Sequence, residues 1–457
     1  MALTPSELDL LEKLKAEHGK FSTHDERMLR YYRGRQRVEQ LGMAIPPEMR
    51  RFLVIANWPR VVVDTLDNRQ QVRSLILPGE ETADPQLRTI WDANNLSAHL
   101  SMFNVDRMVY GRAFMSVGAS DSSGAPLVRV ESPREMTALV NTRSEQVDAA
   151  ARFYAVTPPG DSGPGAPSDA RAVLYLPNET IYCTFEAGSW SDYDRVRHNL
   201  GVVPVVMHLN KRSSGGWWGE SQMNDVIPLA DAAARALTNL QFAQEAHGIP
   251  RMWMAGVKRE DFFEADGVTP RPQFEAYFDA IHMLTDPNGK VGQLTSADLK
   301  NFETAVNLYG KQAATVSGFP ARYFGIETTN PPGEGAIRAD EATLIRSVEA
   351  QNEQVGMTIG WVAALALRFA TGDWVQGNRV RVDWFDPATP TVAQRMDATV
   401  KAVSAGILSR EGAWDEMGWS EARKAKERAY FANEASDPIL LALAQGARDD
   451  AAAAPNG

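Results

Sequence analysis

SGFPARYFGIETTNPPGEGAIRADEATLIRSVE, residues 317–349, holds the reading that decides the fold. An aromatic turn runs into the loop Thr328, Thr329, Asn330, Pro331, Pro332, Gly333, Glu334, Gly335. Two consecutive prolines remove backbone donors and fix φ while the glycines release it, so this loop is not expected to be helical. From Ala336 to Ala370 there is no proline, charged residues dominate the first half, and the second half reads MTIGWVAALALRFA. That pattern predicts one helix of about 50 Å at about 1.5 Å per residue.

Upstream, the spacing predicts a second helix over 297–316, with Leu299, Phe302, Val306, Tyr309, Ala313 and Val316 on one stripe and Lys300, Asn307 and Lys311 on the opposite face. An Ala-rich helix over 225–246 precedes it, closed by His247-Gly248-Ile249-Pro250. Between the two helices, residues 251–295 return to strand and turn chemistry, giving a small β-rich module inserted between helices. It carries the aromatics Phe262, Phe263, Phe274, Tyr277 and Phe278 and the charges Lys258, Arg259, Glu260, Asp261 and Arg271. That mixture suits a docking surface, and it suits equally a small module using its aromatics as core.

Toward the N-terminus, Thr4, Pro5 and Glu7 spell a capping box opening helical segments over 5–42. Helices are expected over 58–71 and 86–110, then strands at 127–130, 151–157, 172–176 and 180–185, with a boundary near Gly215. After the long helix, 379–385 alternates as a strand, a helix runs over 391–405, and residues 409–432 are charged and amphipathic. The chain therefore reads as an α+β protein with a helical middle.

At 457 residues the chain exceeds what one core organises. One cysteine, Cys183, excludes an internal disulfide and any Cys-rich metal site. The longest charge-free apolar run, 354–367, is too short to cross a bilayer, so no membrane association is expected. There are 47 basic against 58 acidic residues, a net charge of -11. Over 221–317 the count is 8 Lys/Arg against 12 Asp/Glu, which is -4. Such a chain is not built to grip phosphates.

A search for catalytic patterns returns nothing. The seven histidines show no zinc spacing, and there is no G-x-x-x-x-G-K-[ST] and no G-x-S-x-G. Cys183 lies in the strand-like run TIYCTF, where a buried inert thiol is expected. No enzyme activity, metal or cofactor is expected. Trp217 and Trp218, between glycines, suit a domain or subunit contact.

Several short stretches, in series with the Pro/Gly loop, carry a resemblance. They are Tyr31-Tyr32-Arg33-Gly34, 57–64 (NWPRVVVD), 91–96 (WDANNL), 109–114 (VYGRAF), 200–206 (LGVVPVV), 225–229 (DVIPL) and 290–294 (KVGQL). In this order the sequence resembles the portal proteins of long-tailed double-stranded DNA phages, from about residue 25 to 435. The resemblance implies a wing (1–220 and 318–390), stem helices (221–250 and 296–317), a clip (251–295), a long helix (336–370) with a tunnel loop (328–335), a crown (391–445) and a disordered tail (446–457). It implies a ring of twelve copies at one capsid vertex of the virion, assembled in the host bacterial cytoplasm. That ring would be a channel for DNA packaging and ejection, with DNA passing without sequence-specific binding.

On that resemblance Lys300, Asn307 and Lys311 are candidates to face the channel, though a solvated helix face explains them too. Leu299, Phe302, Val306 and Tyr309 are candidates for packing between subunits, and Lys258, Arg259, Glu260, Asp261 and Arg271 for docking on the clip. The implied partners are the terminase large subunit, the head-tail adaptor, and the major capsid and scaffolding proteins. The alternative is a cytoplasmic α+β enzyme or ligand-binding protein with no recognisable catalytic motif.

Overall fold

The computed structural model describes residues 3–36, 54–120, 124–156, 169–186, 188–247, 252–255, 290–293, 299–326, 334–388, 392–419 and 421–436. The chain divides into two compact units, 1–387 and 388–457.

In the first unit, helix α1 (Pro5–Tyr32) opens on the expected capping box. The Thr4 hydroxyl accepts from the Glu7 amide at 3.3 Å and the Thr4 amide donates to the Glu7 carboxylate at 2.7 Å. Helix α2 (Trp58–Asp67) stops four residues earlier than the sequence suggests, and strand β1 (Val72–Ile76) follows almost at once. The helix stops at Asn68 because the chain there turns to pair β1 antiparallel with β12 (Arg381–Trp384), far along the sequence. The expected helix over 86–110 is two helices, α3 (Pro85–Ala93) and α4 (Leu96–Tyr110). Asn95 breaks it by taking φ 51°, a left-handed conformation that asparagine tolerates better than most residues. Buried Asn94 holds the break by donating to the carbonyls of Ile90 and Pro126, both at 2.9 Å.

Two antiparallel sheets follow. One has the order β3-β2-β9, from β2 (Arg112–Gly118), β3 (Leu127–Glu131) and β9 (Val205–Leu209). The other is a meander of β4 (Met136–Val140), β5 (Val147–Val156), β6 (Asp169–Tyr175), β7 (Glu179–Glu186) and β8 (Ser189–Arg197). Alternation along the strands feeds both faces of the meander. Ala149, Ala151, Leu174, Ile181 and Cys183 meet Leu11 and Leu14 of α1. Ala150, Val173 and Tyr175 meet Phe114 of β2, with Val203 and Val205 at and just before β9. The opposite face of β2, Ala113, Met115 and Val117, packs against α3, α4 and the second half of a long helix. The layers thus run α1, five strands, three strands, helices.

That long helix, α7 (Glu334–Thr371), follows α5 (Ile227–His247) and α6 (Lys300–Ser317). It begins two residues earlier than the loop reading allows, so Glu334 and Gly335 are helical, consistent with the preference for an acidic residue in a first turn. Helices α5 and α6 pack on one another, and where they leave the described body β10 (Met252–Ala255) pairs antiparallel with β11 (Lys290–Gln293). A core of Met28, Tyr31, Val62, Leu66, Ile227, Ala230, Phe319, Phe324 and Leu344 ties α1, α2, α5 and α7 together. The turn into α5 is held by contact between two backbones. A Cβ on Gly219 would lie 2.0 Å from the Gly111 carbonyl oxygen, and Gly111 itself has φ 80°.

The second unit contains α8 (Val392–Ser404), α9 (Arg410–Glu416) and α10 (Glu421–Ser436). Its centre is Trp414, stacked on Trp419 at 5.8 Å and on Phe431 at 5.9 Å. Among the described residues no helix is long and apolar enough to cross a membrane.

Candidate functional site

The base of the Pro/Gly loop is built from both sides. Helix α6 ends on Gly318 with φ 71°, where the Phe319 amide donates back to the Ala314 carbonyl, and a short 3-10 turn, Ala321–Phe324, follows. Arg322 in that turn crosses to the first turns of α7, donating to Asp340 at 2.7 Å and Glu341 at 2.5 Å. Glu341 is buried and also accepts from Arg69 at 3.2 Å and from the Tyr323 hydroxyl at 3.1 Å. Arg69 completes the knot by donating to the Tyr323 oxygen at 2.9 Å and the Pro387 carbonyl at 2.8 Å. A buried carboxylate whose one oxygen accepts from three donors is a fixed anchor. Ile326, the last described residue before the loop, lies against Gly310, where a Cβ would sit 3.0 Å from its Cδ1. Both ends of the loop are therefore staked to helices. Residues 328–333 of the loop lie outside the described residues.

On α6, Lys300 and Lys311 are exposed and Asn307 is half-buried, at the spacing of one helix face. Leu299 stands just ahead of the helix at its N-cap with helical backbone angles. Leu299, Phe302, Val306 and Tyr309 are all half-buried. Val306 and Tyr309 pack against the core of their own chain, while Leu308 and Val316 are the large apolar side chains of α6 left exposed. Lys258, Arg259, Glu260, Asp261 and Arg271, with the five aromatics of the same segment, lie outside the described residues.

Sequence reasoning missed a polar junction at the middle of α7. Arg107 of α4 is fully buried, and its guanidinium donates to Asn104 at 3.2 Å, Asn210 at 3.2 Å, Gln351 at 3.1 Å and Gln70. Gln70 in turn donates to Asn352 at 2.9 Å. Four stretches of chain meet on one cation, and among the described residues no carboxylate bonds to it directly. Burial pulls Arg107 down to about 9, which still leaves it charged at neutral pH. Burial, with the Arg107 charge beside it, holds neighbouring His208 down at about 3, so its neutral ring bonds to the Thr358 hydroxyl at 2.9 Å. A second junction pairs Arg112 of β2 with Asp25 of α1 at 3.0 and 2.6 Å, capped by the Phe21 ring at 4.3 Å. The signal for both was a charge inside an apolar helical or strand pattern, DRMVYGRAF at 106–114.

None of this is a catalytic arrangement. Cys183 is buried and its thiol is pushed up to about 12 by burial, which makes it a poor nucleophile. Among the described residues no cluster of three His, Cys, Asp or Glu could hold a metal. A groove of about 560 Å³ between α7 and β12 is walled by Met357, Val382, Trp384 and Phe385 and edged by Glu349 and Glu353, with no histidine, cysteine or hydroxyl side chain lining it.

Comparison with known proteins adds the family. A family model described as phage portal protein, SPP1 Gp6-like, matches residues 11–437. The portal protein of Mycobacterium phage L5 is 33% identical over 418 residues, covering 89% of this chain and 84% of that protein. The portal protein of Mycobacterium phage D29 is 32% identical over the same length, with the same coverage. Among solved structures, the chain is similar to one from the virion of a native gene transfer agent particle, at 14% identity and TM-score 0.46, covering 83% of this chain and 96% of that one. It is also similar to a chain from the neck of the native particle computed with C12 symmetry, at 14% identity and TM-score 0.43, covering 82% and 93%.

Proposed function

Since the chain belongs to the SPP1 Gp6-like family of phage portal proteins, we propose that its copies close into a ring of twelve at one vertex of the capsid. The observation that carries this reading is the family match itself, which runs from residue 11 to 437 through the paired helices, the ribbon they carry and both sides of the Pro/Gly loop. An α+β enzyme or ligand-binding protein has no comparable support.

In this reading residues 221–250 and 296–317 are the stem, 251–295 the clip, 1–220 and 318–390 the wing with its tunnel loop (328–333) and long helix (334–371), 391–445 the crown and 446–457 a tail. Lys300, Asn307 and Lys311 face the channel. Leu299 and Phe302, half-buried and outside the cores described above, face a neighbouring subunit, with Val306 and Tyr309 continuing the stripe inward. The role is structural: a passage for double-stranded DNA during packaging and ejection. The acidic balance of the chain supports passage without capture, because a ring of like charge repels phosphates and holds no duplex in place. The terminase large subunit and later the head-tail adaptor dock on Lys258, Arg259, Glu260, Asp261 and Arg271, and the major capsid and scaffolding proteins meet the wing. Assembly takes place in the host cytoplasm.

Negative-stain images of the purified protein test the reading. Rings with an axial hole are the expected result; a uniform monomer at micromolar concentration in assembly-permissive salt overturns it.

A further inference from the structure

Helix α8 leaves an apolar row open to solvent. Met396, Val400 and Val403 recur at i, i+4 and i+7 and are 50%, 64% and 39% exposed. The row continues beyond the helix end. Gly406, at φ 70°, donates to the Val403 carbonyl at 3.0 Å and Ile407 donates to the Ala402 carbonyl at 3.0 Å, the two bonds of a Schellman cap. In that motif the residue in the position of Ile407 usually packs back on the last helical turn. Here Ile407 is 82% exposed. A charged or small residue would close the helix as well, so the cap does not explain four large apolar side chains in line.

The same unit leaves a second, opposite kind of face open. On α10, Phe431 and the buried Lys424 turn inward, toward Trp414 and Asp415 respectively. One flank of the same helix presents Ala425, Ala429 and Ala432 at i, i+4 and i+7, all exposed. Small side chains form a shallow trough along a helix, and a row of Val, Ile and Met is the ridge that fills one at an axis separation of about 8–10 Å. Each face is the complement of the other. Both are exposed while α8, α9 and α10 are in place, so within one unit they do not satisfy each other.

A cyclic assembly requires two different, mutually complementary patches on every copy. Resting on the ring reading above, we propose that the Met396, Val400, Val403, Ile407 ridge of one subunit packs into the Ala425, Ala429, Ala432 trough of the next. The occupant of the apolar face is thus a second copy of this chain. A contact of one helix against one helix hides a few hundred Å² on each side, below the roughly 800 Å² per partner of a free-standing complex. It therefore forms as one part of a larger closed interface, not as a dimer in solution.

The chain's only cysteine is buried, which gives a clean chemical test. Two single-site variants, Val400→Cys and Ala429→Cys, are co-assembled in equal amounts in the full-length protein and treated with a bismaleimide spanning about 8–10 Å, the separation expected of packed helices. A dimer band can then arise only between copies. The expected result is that band in the mixture and none from either variant alone, with a ladder of higher multimers from the double variant. Rings that form normally but give no dimer band overturn this contact while leaving the ring reading intact. So does a double variant that cross-links only within one chain. A protein that never leaves the monomer overturns both. Val400→Glu supplies the second measurement. A charge buried across the contact is expected to raise the concentration at which half the protein is assembled by about tenfold or more, with unchanged circular dichroism of the unassembled chain. No change in assembly counts against the contact.

Discussion

At the scale of single residues, the polar groups in the core set the conditions under which the fold holds. Arg107 joins α4 to Gln70, Asn210 and Gln351, and deleting its guanidinium strands the amides that receive it. Arg107→Leu is expected to cost about 1–3 kcal/mol for each buried amide oxygen left without a donor, visible as a lower urea midpoint with unchanged secondary structure at low denaturant. Asp106, beside it on the same helix, behaves differently. Burial, aided by the nearby Asp25 charge, raises its carboxyl to about 7. With the folded value above the unfolded one, its contribution is fully present below the ordinary carboxylate range and is lost as pH rises through about 7. Asp106→Asn should remove that loss: melting temperatures at pH 5 and pH 8 should lie closer together in the variant than in the parent. An unchanged difference would exclude Asp106 as the source. Glu7 has the opposite sign. Its hydrogen bonds with Arg195 hold it down at about 2, so its stabilisation is present above the ordinary glutamate value and disappears only as pH falls through about 2.

At the scale of elements, close backbone approach overrides helix propensity. Gly360 sits inside α7, where alanine would be favoured by about 1 kcal/mol, yet a Cβ there would meet the Gly377 carbonyl oxygen at 2.3 Å. Gly360→Ala is therefore expected to destabilise the chain by about 1–3 kcal/mol, measured by thermal unfolding, and a stabilised variant would mean that the 377–380 segment yields easily. The same competition explains what was legible in the sequence. Helix α7 was readable because 336–370 lacks proline and turns apolar halfway, a local pattern with no rival, and the capping box at Thr4 was readable for the same reason. Strand β1 was not, because VRSLI is five residues with too little alternation to stand out, and its partner Arg381–Trp384 lies far along the sequence. Strands β2, β4, β8 and β9 escaped for a related reason. RAFMSVG is buried on both faces and shows no alternation, while SWSDYDRVR on the sheet edge carries too much charge to read as a strand. Of the candidate site, the glycine and proline punctuation of the loop was visible. The Glu341 anchor was not, since its partners come from residues 69, 322 and 323 and no local pattern joins them.

At the scale of the whole molecule, the structure separates what must be rigid from what is merely carried. Deleting three residues within 328–333 should leave ring assembly intact, because the stakes at Arg322, Asp340 and Glu341 lie outside the deletion, while DNA retention or packaging falls. Loss of the ring itself would show that the loop is part of the assembly contact. Lys258, Arg259 and Glu260 replaced together by Ala should spare the ring and weaken binding of adaptor or motor in a pull-down; full binding by a well-formed variant ring refutes docking there. The second experiment leans on one modest feature, the ribbon in which Ala255 stands opposite Lys290. Paired strands lie about 4.8 Å apart, so the chain departs from the helical pair and comes home through a doorway one strand-spacing wide. A two-residue Asn-Gly hairpin turn closes the same gap, so putting one in place of 256–289 should leave the α5–α6 pair folded, with an unchanged thermal melt as the check. The two short, matched seams, Met252–Ala255 and Lys290–Gln293, are thus the points at which the intervening stretch of chain can be exchanged.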